Sequence, residues 1–203
     1  MQIVTDDLRL ASLGRFTPEG YLSPGYGDHY LFMVGRDDVH GILHSLIPRE
    51  TMRFRLNMFG FDDQELNDDI VALMQNPNVA VQGTLDKSQA GGVHERAILA
   101  TDLANDPDFY NSFAVGRSST GQISHTKGGV MTALGLGFEG STNWSASGEG
   151  TGISVDVSQP AAPGYKAQNN TLLVSSNPVF LARFAARLDV EHLTALAQKG
   201  NQA

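Results

Sequence analysis

The stretch from residue 52 to residue 88 changes its period twice, and this constrains the fold more than any other feature of the chain. MRFRLNMFGF places Met52, Phe54, Leu56 and Met58 on one face, the alternation of a strand. DDQELNDDIVALMQN follows, with Leu66, Ile70, Leu73 and Met74 at helical spacing and aspartates at its start, where they complement the helix dipole. VAVQGTLDKS, residues 79–88, returns to a strand and closes a β-α-β unit.

The flanking segments extend the pattern. YLFMVG at 30–35 reads as a buried strand, and DDVHGILHSLI as a short helix capped by Asp37 or Asp38. A helix is expected over 93–104, and strands near 111–116, 122–127 and 130–138. NTLLVSS is a further strand that runs into Asn177-Pro178, an N-cap followed by proline at the first helical position. Phe180, Phe184 and Leu188 form an apolar stripe on the helix that follows. Strands and helices that alternate and then give way to consecutive strands predict an α/β fold, a mixed β-sheet flanked by helices. With 203 residues the chain has room for one substantial domain over 1–203, with residues 1–28 as a turn-rich lead-in.

Composition excludes several classes of function. Cys 0 rules out disulfides, thiolate metal sites and a cysteine nucleophile. The first residues, MQIVTDDLRL, lack the apolar core of a signal peptide, and no later run approaches the roughly 20 apolar residues of a membrane span. Stable membrane insertion is not expected, and a cytoplasmic location is the default expectation. A net charge of −8 argues against a broad basic coat for nucleic acid, but allows a local cationic groove.

Chemistry concentrates in ISHTKGGVMTALGLGFEGSTNWSASGEG, residues 123–150. GLGFEG spells a G-x-G-x-x-G, but that dinucleotide fingerprint needs a helix opening at its last glycine, and STNWSASGEGTG is a poor helix. A second reading fits better. If ISHTK is extended, His125 and Lys127 share a face; if FEGSTN is extended, so do Ser141 and Asn143. Two neighbouring strand ends would then present an imidazole, an ammonium, a hydroxyl and a carboxamide to one point, the groups a phosphodiester needs. Ammonium and carboxamide bind non-bridging oxygens, and the imidazole attacks phosphorus or passes a proton near neutral pH.

H-x-K followed by G-S-x-N resembles the phospholipase D superfamily, in particular its members with one such motif per chain. LNMFGFDDQELNDDIVALMQN and VAVQGTLDKSQ are similar to the strand-helix-strand preceding the motif there, so the likeness covers about residues 52–188. The resemblance implies a phospholipase D-like fold and metal-independent phosphodiester hydrolysis through a phosphohistidine on His125, with no cofactor and no metal. Lys127 and Asn143 would clamp the phosphate, Ser141 would add a hydrogen bond, and Glu149 would orient the histidine. Because two histidines must flank one phosphate, it also implies a homodimer with the active site on its twofold axis. The single-motif branch resembles nucleases more than lipases, so DNA or RNA is the first expected substrate. The alternatives are phospholipids or small phosphodiesters, or a degraded homologue that binds phosphate esters without turnover. Candidates for a local nucleic-acid groove are Arg117, Lys127, Lys166 and Arg96.

One departure bears on full activity: the family pattern H-x-K-x-x-x-x-D would place aspartate at 132, where this chain has Thr132. Glu139 is expected to be structural, Trp144 to pack over the motif strand, and DDQELNDD to be a solvated helix face. His40 and His44 stand at i and i+4, but no carboxylate motif accompanies them in the sequence, so they read as surface helix residues rather than ligands. His94 and His192 carry no signal.

Overall fold

A computed structural model describes residues 7–18, 25–104, 111–151 and 167–200, so Lys166 lies outside the described residues. The strands are β1 (Gly25–Tyr26), β2 (His29–Met33), β3 (Arg53–Met58), β4 (Phe61–Asp62), β5 (Ala80–Asp86), β6 (Asn111–Gly116), β7 (Gly128–Met131), β8 (Leu136–Gly140), β9 (Trp144–Ser145) and β10 (Thr171–Ser175). The α-helices are α1 (Leu8–Ala11), α2 (Val39–Leu46), α3 (Gln64–Met74), α4 (Val93–Ala104), α5 (Ala146–Glu149) and α6 (Pro178–Gly200).

Eight strands form one sheet in the order β1-β2-β10-β8-β7-β3-β5-β6, and β4 pairs with β9 in a second, two-stranded sheet. β3, β5 and β6 run parallel, and the strands on the other side of β3 are antiparallel to their neighbours. The mixed α/β sheet expected from the sequence is therefore present, with β3-α3-β5 in its parallel part, next to the edge strand β6. Asp63 caps α3 by accepting from the Leu66 N–H, and Asp38 caps α2 by accepting from Gly41. Asn177 accepts from both Val179 and Phe180 at the start of α6. Loss of such a cap typically costs about 1 kcal/mol.

Alternation along β3 assigns its two faces. Phe54, Leu56 and Met58 are fully buried in the main core, with Leu66, Ile70, Val81, Leu85 and Ile98. Arg53 and Arg55 point the other way, where Asp189 on α6 accepts from Arg55 Nε at 2.9 Å. Met52, expected on the core face, is instead 59% exposed, because the strand begins only at Arg53. Within the lead-in, Leu10 and Leu13 are buried in the main core.

Two expectations for the motif region are corrected. Residues 122–127 do not form a strand: the Ser124 N–H is taken by the Asp86 carboxylate at 2.5 Å, a side chain replacing a ladder partner. Residues 130–138 are not one strand but a hairpin, β7 and β8, turning at Thr132–Gly135, where Gly135 adopts φ +60° and its N–H donates to the Thr132 carbonyl. GLGFEG is thus that turn glycine and strand β8. Its last glycine lets β10 approach, since a Cβ on Gly140 would sit 2.1 Å from the Thr171 carbonyl oxygen.

Candidate active site

The H-x-K segment is held from below by a buried polar network. Asp86, at the end of β5, receives Ser88 through its N–H and hydroxyl at 2.9 and 2.6 Å, and receives the Ser124 N–H with its other oxygen. The Ser124 hydroxyl donates to Asn57 Oδ1 on β3 at 3.1 Å. Asp86, Ser124 and Asn57 are almost completely buried, whereas Ser88 is exposed. The parallel pair β3–β5 therefore fixes the backbone that carries His125.

His125 and Lys127 do not share a strand face. His125 is exposed and Lys127 is buried, yet both converge on Phe59, just after β3. The His125 ring lies 4.5 Å from the Phe59 ring, and Lys127 Nζ lies 5.0 Å from the same centroid while donating to the His125 carbonyl oxygen at 2.7 Å. Burial lowers the Lys127 pKa to about 8. Partial burial and the neighbouring Lys127 charge also push the His125 imidazole below its usual range, against a smaller opposing pull from Asp86. Its neutral, nucleophilic form is thereby favoured at neutral pH.

A cleft of about 510 Å³ opens here, lined by His125, Thr126, Lys127 and Ser141, with Glu139 and Arg187 on its wall. Ser141 is pinned to β10, its hydroxyl accepting from the Thr171 N–H at 3.0 Å. Glu139, expected to be structural only, faces this cleft. A second cleft of about 490 Å³, lined by Asp86, Lys87, Ser88, Arg117 and Gly121, shares Ile123 with the first. Of the four groove candidates, Lys127 and Arg117 line these clefts. Arg96 lies on α4, bonded to the Gly91 carbonyl, and is not among the lining residues. Lys87 and Arg187 are cations that the sequence did not single out.

Asn143 and Glu149 sit apart from the cleft lining. Asn143 packs against Gly60, where a Cβ would stand 3.0 Å from its carboxamide carbon, and its buried Oδ1 has no hydrogen-bond partner among the described residues. Phe59 and Gly60 are adjacent, so one turn after β3 touches His125, Lys127 and Asn143. Trp144 is core, 5.2 Å from Phe61 and 6.1 Å from Phe138. The carboxylate of Glu149 is engaged by His40: His40 Nδ1 is 2.6 Å from Glu149 Oε2. Burial raises the Glu149 pKa to about 7, and the Glu149 hydrogen bond raises that of His40 to about 9. His40 is thus not a solvated helix residue, because tertiary contacts supply the carboxylates its own helix lacks. His192, silent in the sequence, is buried between β5 and β6, facing Thr84, the Gly83 carbonyl and Ser112. Thr132 lies at the β7–β8 turn, accepting weakly from Arg55 at 3.4 Å, while Asp189 provides the carboxylate for that arginine.

No family model and no curated protein matches the sequence. Among solved structures, NucT from Helicobacter pylori superposes with a TM-score of 0.59 at 15% identity, covering 82% of this chain and 96% of that one. Nuc from Salmonella typhimurium, a phospholipase D family member, gives 0.56 at 13% identity, covering 83% and 96%. TrmBL2, an archaeal chromatin protein with a novel mode of DNA binding, gives 0.51 at 11%, covering 89% of this chain and 55% of that one. At these identities the likeness speaks for the fold alone: the chain has the phospholipase D-like fold.

Proposed function

We propose that this protein hydrolyses phosphodiester bonds in nucleic acid, with His125 as nucleophile. The observation carrying the reading is the convergence of His125 and Lys127 on Phe59, at the mouth of a cleft that continues through Ile123 toward Lys87 and Arg117. A neutral imidazole nitrogen of His125 attacks phosphorus, and the bond to the leaving oxygen breaks as that oxygen takes a proton from a second histidine. Water, deprotonated by that second histidine, then attacks phosphorus and breaks the P–N bond. Lys127 stabilises the charge on the non-bridging oxygens, with Ser141 and Asn143 completing the clamp. The second histidine is His125 of another copy, which makes the working unit a homodimer across a twofold axis. The cationic residues along the two clefts suit a single phosphate backbone better than a lipid headgroup, and no helix among the described residues is long and apolar enough to cross a membrane.

A second reading rests on Thr132 and on the capture of Glu149 by His40: the site binds nucleic acid without cutting it. One experiment separates the two. Single-stranded DNA, duplex DNA, RNA and phosphatidylcholine are incubated with wild type, His125→Ala and His125→Asn. Cleavage of a nucleic acid that both variants abolish is expected. Binding without cleavage by wild type supports the second reading, lipid turnover overturns the substrate, and undiminished cleavage by the variants overturns the site.

A further inference from the structure

A second constellation stands outside the cleft. His40 on α2, Asp63 at the N-cap of α3 and Glu149 at the end of α5 each offer a ligand atom, and the three atoms lie within 4.8 Å of one another. His40 Nδ1 faces both carboxylates, 2.6 Å from Glu149 Oε2 and 3.6 Å from Asp63 Oδ2. The opposite ring nitrogen, Nε2, is 2.7 Å from Glu65 Oε2. The Glu149 side chain is fully buried, and those of His40 and Asp63 retain only 12% and 11% exposure.

Charge balance sharpens the picture. Three carboxylates meet one imidazole, so even an imidazolium leaves the group net negative, and two of the carboxylates are out of solvent. Among the described residues, His40 is the one cation paired with any of the three. Glu149 Oε1 is buried and makes no hydrogen bond of normal geometry among those residues, although the Ser145 N–H lies near enough to favour the charged carboxylate. A buried carboxylate oxygen without a partner is costly, and a cation would satisfy it.

We propose that His40, Asp63 and Glu149 bind a divalent transition cation of the zinc or manganese class. One imidazole and two carboxylates suit these ions, and a carboxylate on the far ring nitrogen, here Glu65, is the usual support for a ligating histidine. None of these residues lines the cleft of His125, so the role is structural. The cation ties α2 to α3 and to the segment running from Asn143 to Glu149. The pairing of Phe61 with Trp144 and of Asp62 with Ser145 already joins the last two of these. The site thus fixes the loop that carries Asn143.

The test uses the whole chain, stripped with chelator and then freed of it, and titrated with Zn²⁺ and with Mn²⁺ by calorimetry and thermal melting. Saturable binding of one ion per chain is expected, with a rise in Tm. Asp63→Asn retains a residue able to cap α3 yet removes a charged ligand, so its fold should survive while affinity drops at least tenfold. Glu65→Gln should weaken binding about 10–100-fold. His44→Ala, which removes a histidine paired with Asp69 instead, should bind as wild type. In wild type, Co²⁺ absorption should report a low-symmetry nitrogen–oxygen site, a readout that needs no variant. Absence of saturable binding at millimolar ion, or equal affinity in Asp63→Asn, overturns the proposal. Binding and melting are read without any substrate, so the outcome is independent of whether the chain hydrolyses anything.

Discussion

Lys127 Nζ donates to the carbonyl oxygen of His125 at 2.7 Å, so the ammonium of the motif is tethered to the backbone of its own histidine. It is otherwise desolvated and faces an aromatic ring, a poised charge without a carboxylate partner among the described residues.

This poise sets the pH dependence. Burial lowers the Lys127 pKa to about 8, so its charge is present below that pH and lost above it. Affinity of the His125→Ala variant for a short oligonucleotide should therefore fall as pH passes through 8, in addition to any salt effect. In the wild type, which needs one His125 neutral and the other protonated, the hydrolytic optimum should lie on the acidic side of the usual imidazole range, where the two forms coexist. Oligonucleotide affinity that stays flat from pH 7 to 10 would argue against Lys127 as the clamp.

The same burial makes Lys127 a liability for folding. Each unit by which burial lowers a pKa corresponds to about 1.4 kcal/mol against the charged form. The folded pKa lies below the unfolded one, so between about 8 and 10.5 the unfolded chain binds more protons and stability rises with pH. Lys127→Met should abolish that rise and melt higher at pH 7, at about 2–4 °C per kcal/mol for a chain of this size. Its hydrolytic rate should drop by about 10²–10³. Thermal melts from pH 7 to 10.5 with matched rate assays check both.

Asp86 acts through position rather than contact with substrate. In Asp86→Asn a single amide oxygen remains to accept from three donors, the Ser124 and Ser88 N–H groups and the Ser88 hydroxyl, and the amide N–H₂ is left facing a donor. We expect a stability loss of about 1–3 kcal/mol. We also expect a fall in kcat of up to about 100-fold, the scale associated with a 1 Å displacement, with KM changed much less. Steady-state kinetics and denaturant titration give the two numbers, and an unchanged kcat would detach this network from the site.

Sedimentation should show a species of twice the chain mass, and specific activity should fall on dilution in step with its dissociation. A monomer with full activity would require the second histidine to come from within the chain.

Thr132→Asp places a carboxylate beside Arg55, whose Nη1 reaches Thr132 Oγ1 at 3.4 Å while Asp189 holds its Nε. An exposed pair of this kind contributes about 0–1 kcal/mol. A small rise in Tm with rates within about twofold of wild type is expected. A large gain in rate would mean that the missing aspartate is a catalytic deficit, not a surface one.

Local pattern determined much of this protein. Alternation in MRFRLNMFGF, helical spacing in DDQELNDDIVALMQN with aspartates at its start, and the caps Asp38 and Asn177 are properties of neighbouring residues, and a strand and helices formed there within narrower bounds, with Met52 left outside β3. The motif residues His125, Lys127 and Ser141 were visible as chemistry before any coordinates, because their side-chain types and order are themselves the signal. What required the tertiary structure was every partner chosen across the sequence. The Ser124 N–H goes to Asp86, 38 residues earlier, and so the expected strand over 122–127 never forms. Glu149 meets His40 across 109 positions, which no helical or strand period encodes. Hydrogen bonds and charges are satisfied by whatever the packed sheet and helices bring within about 3 Å. A histidine that is solvated on its own helix thus becomes, once α2, α3 and α5 meet, the centre of a buried carboxylate cluster.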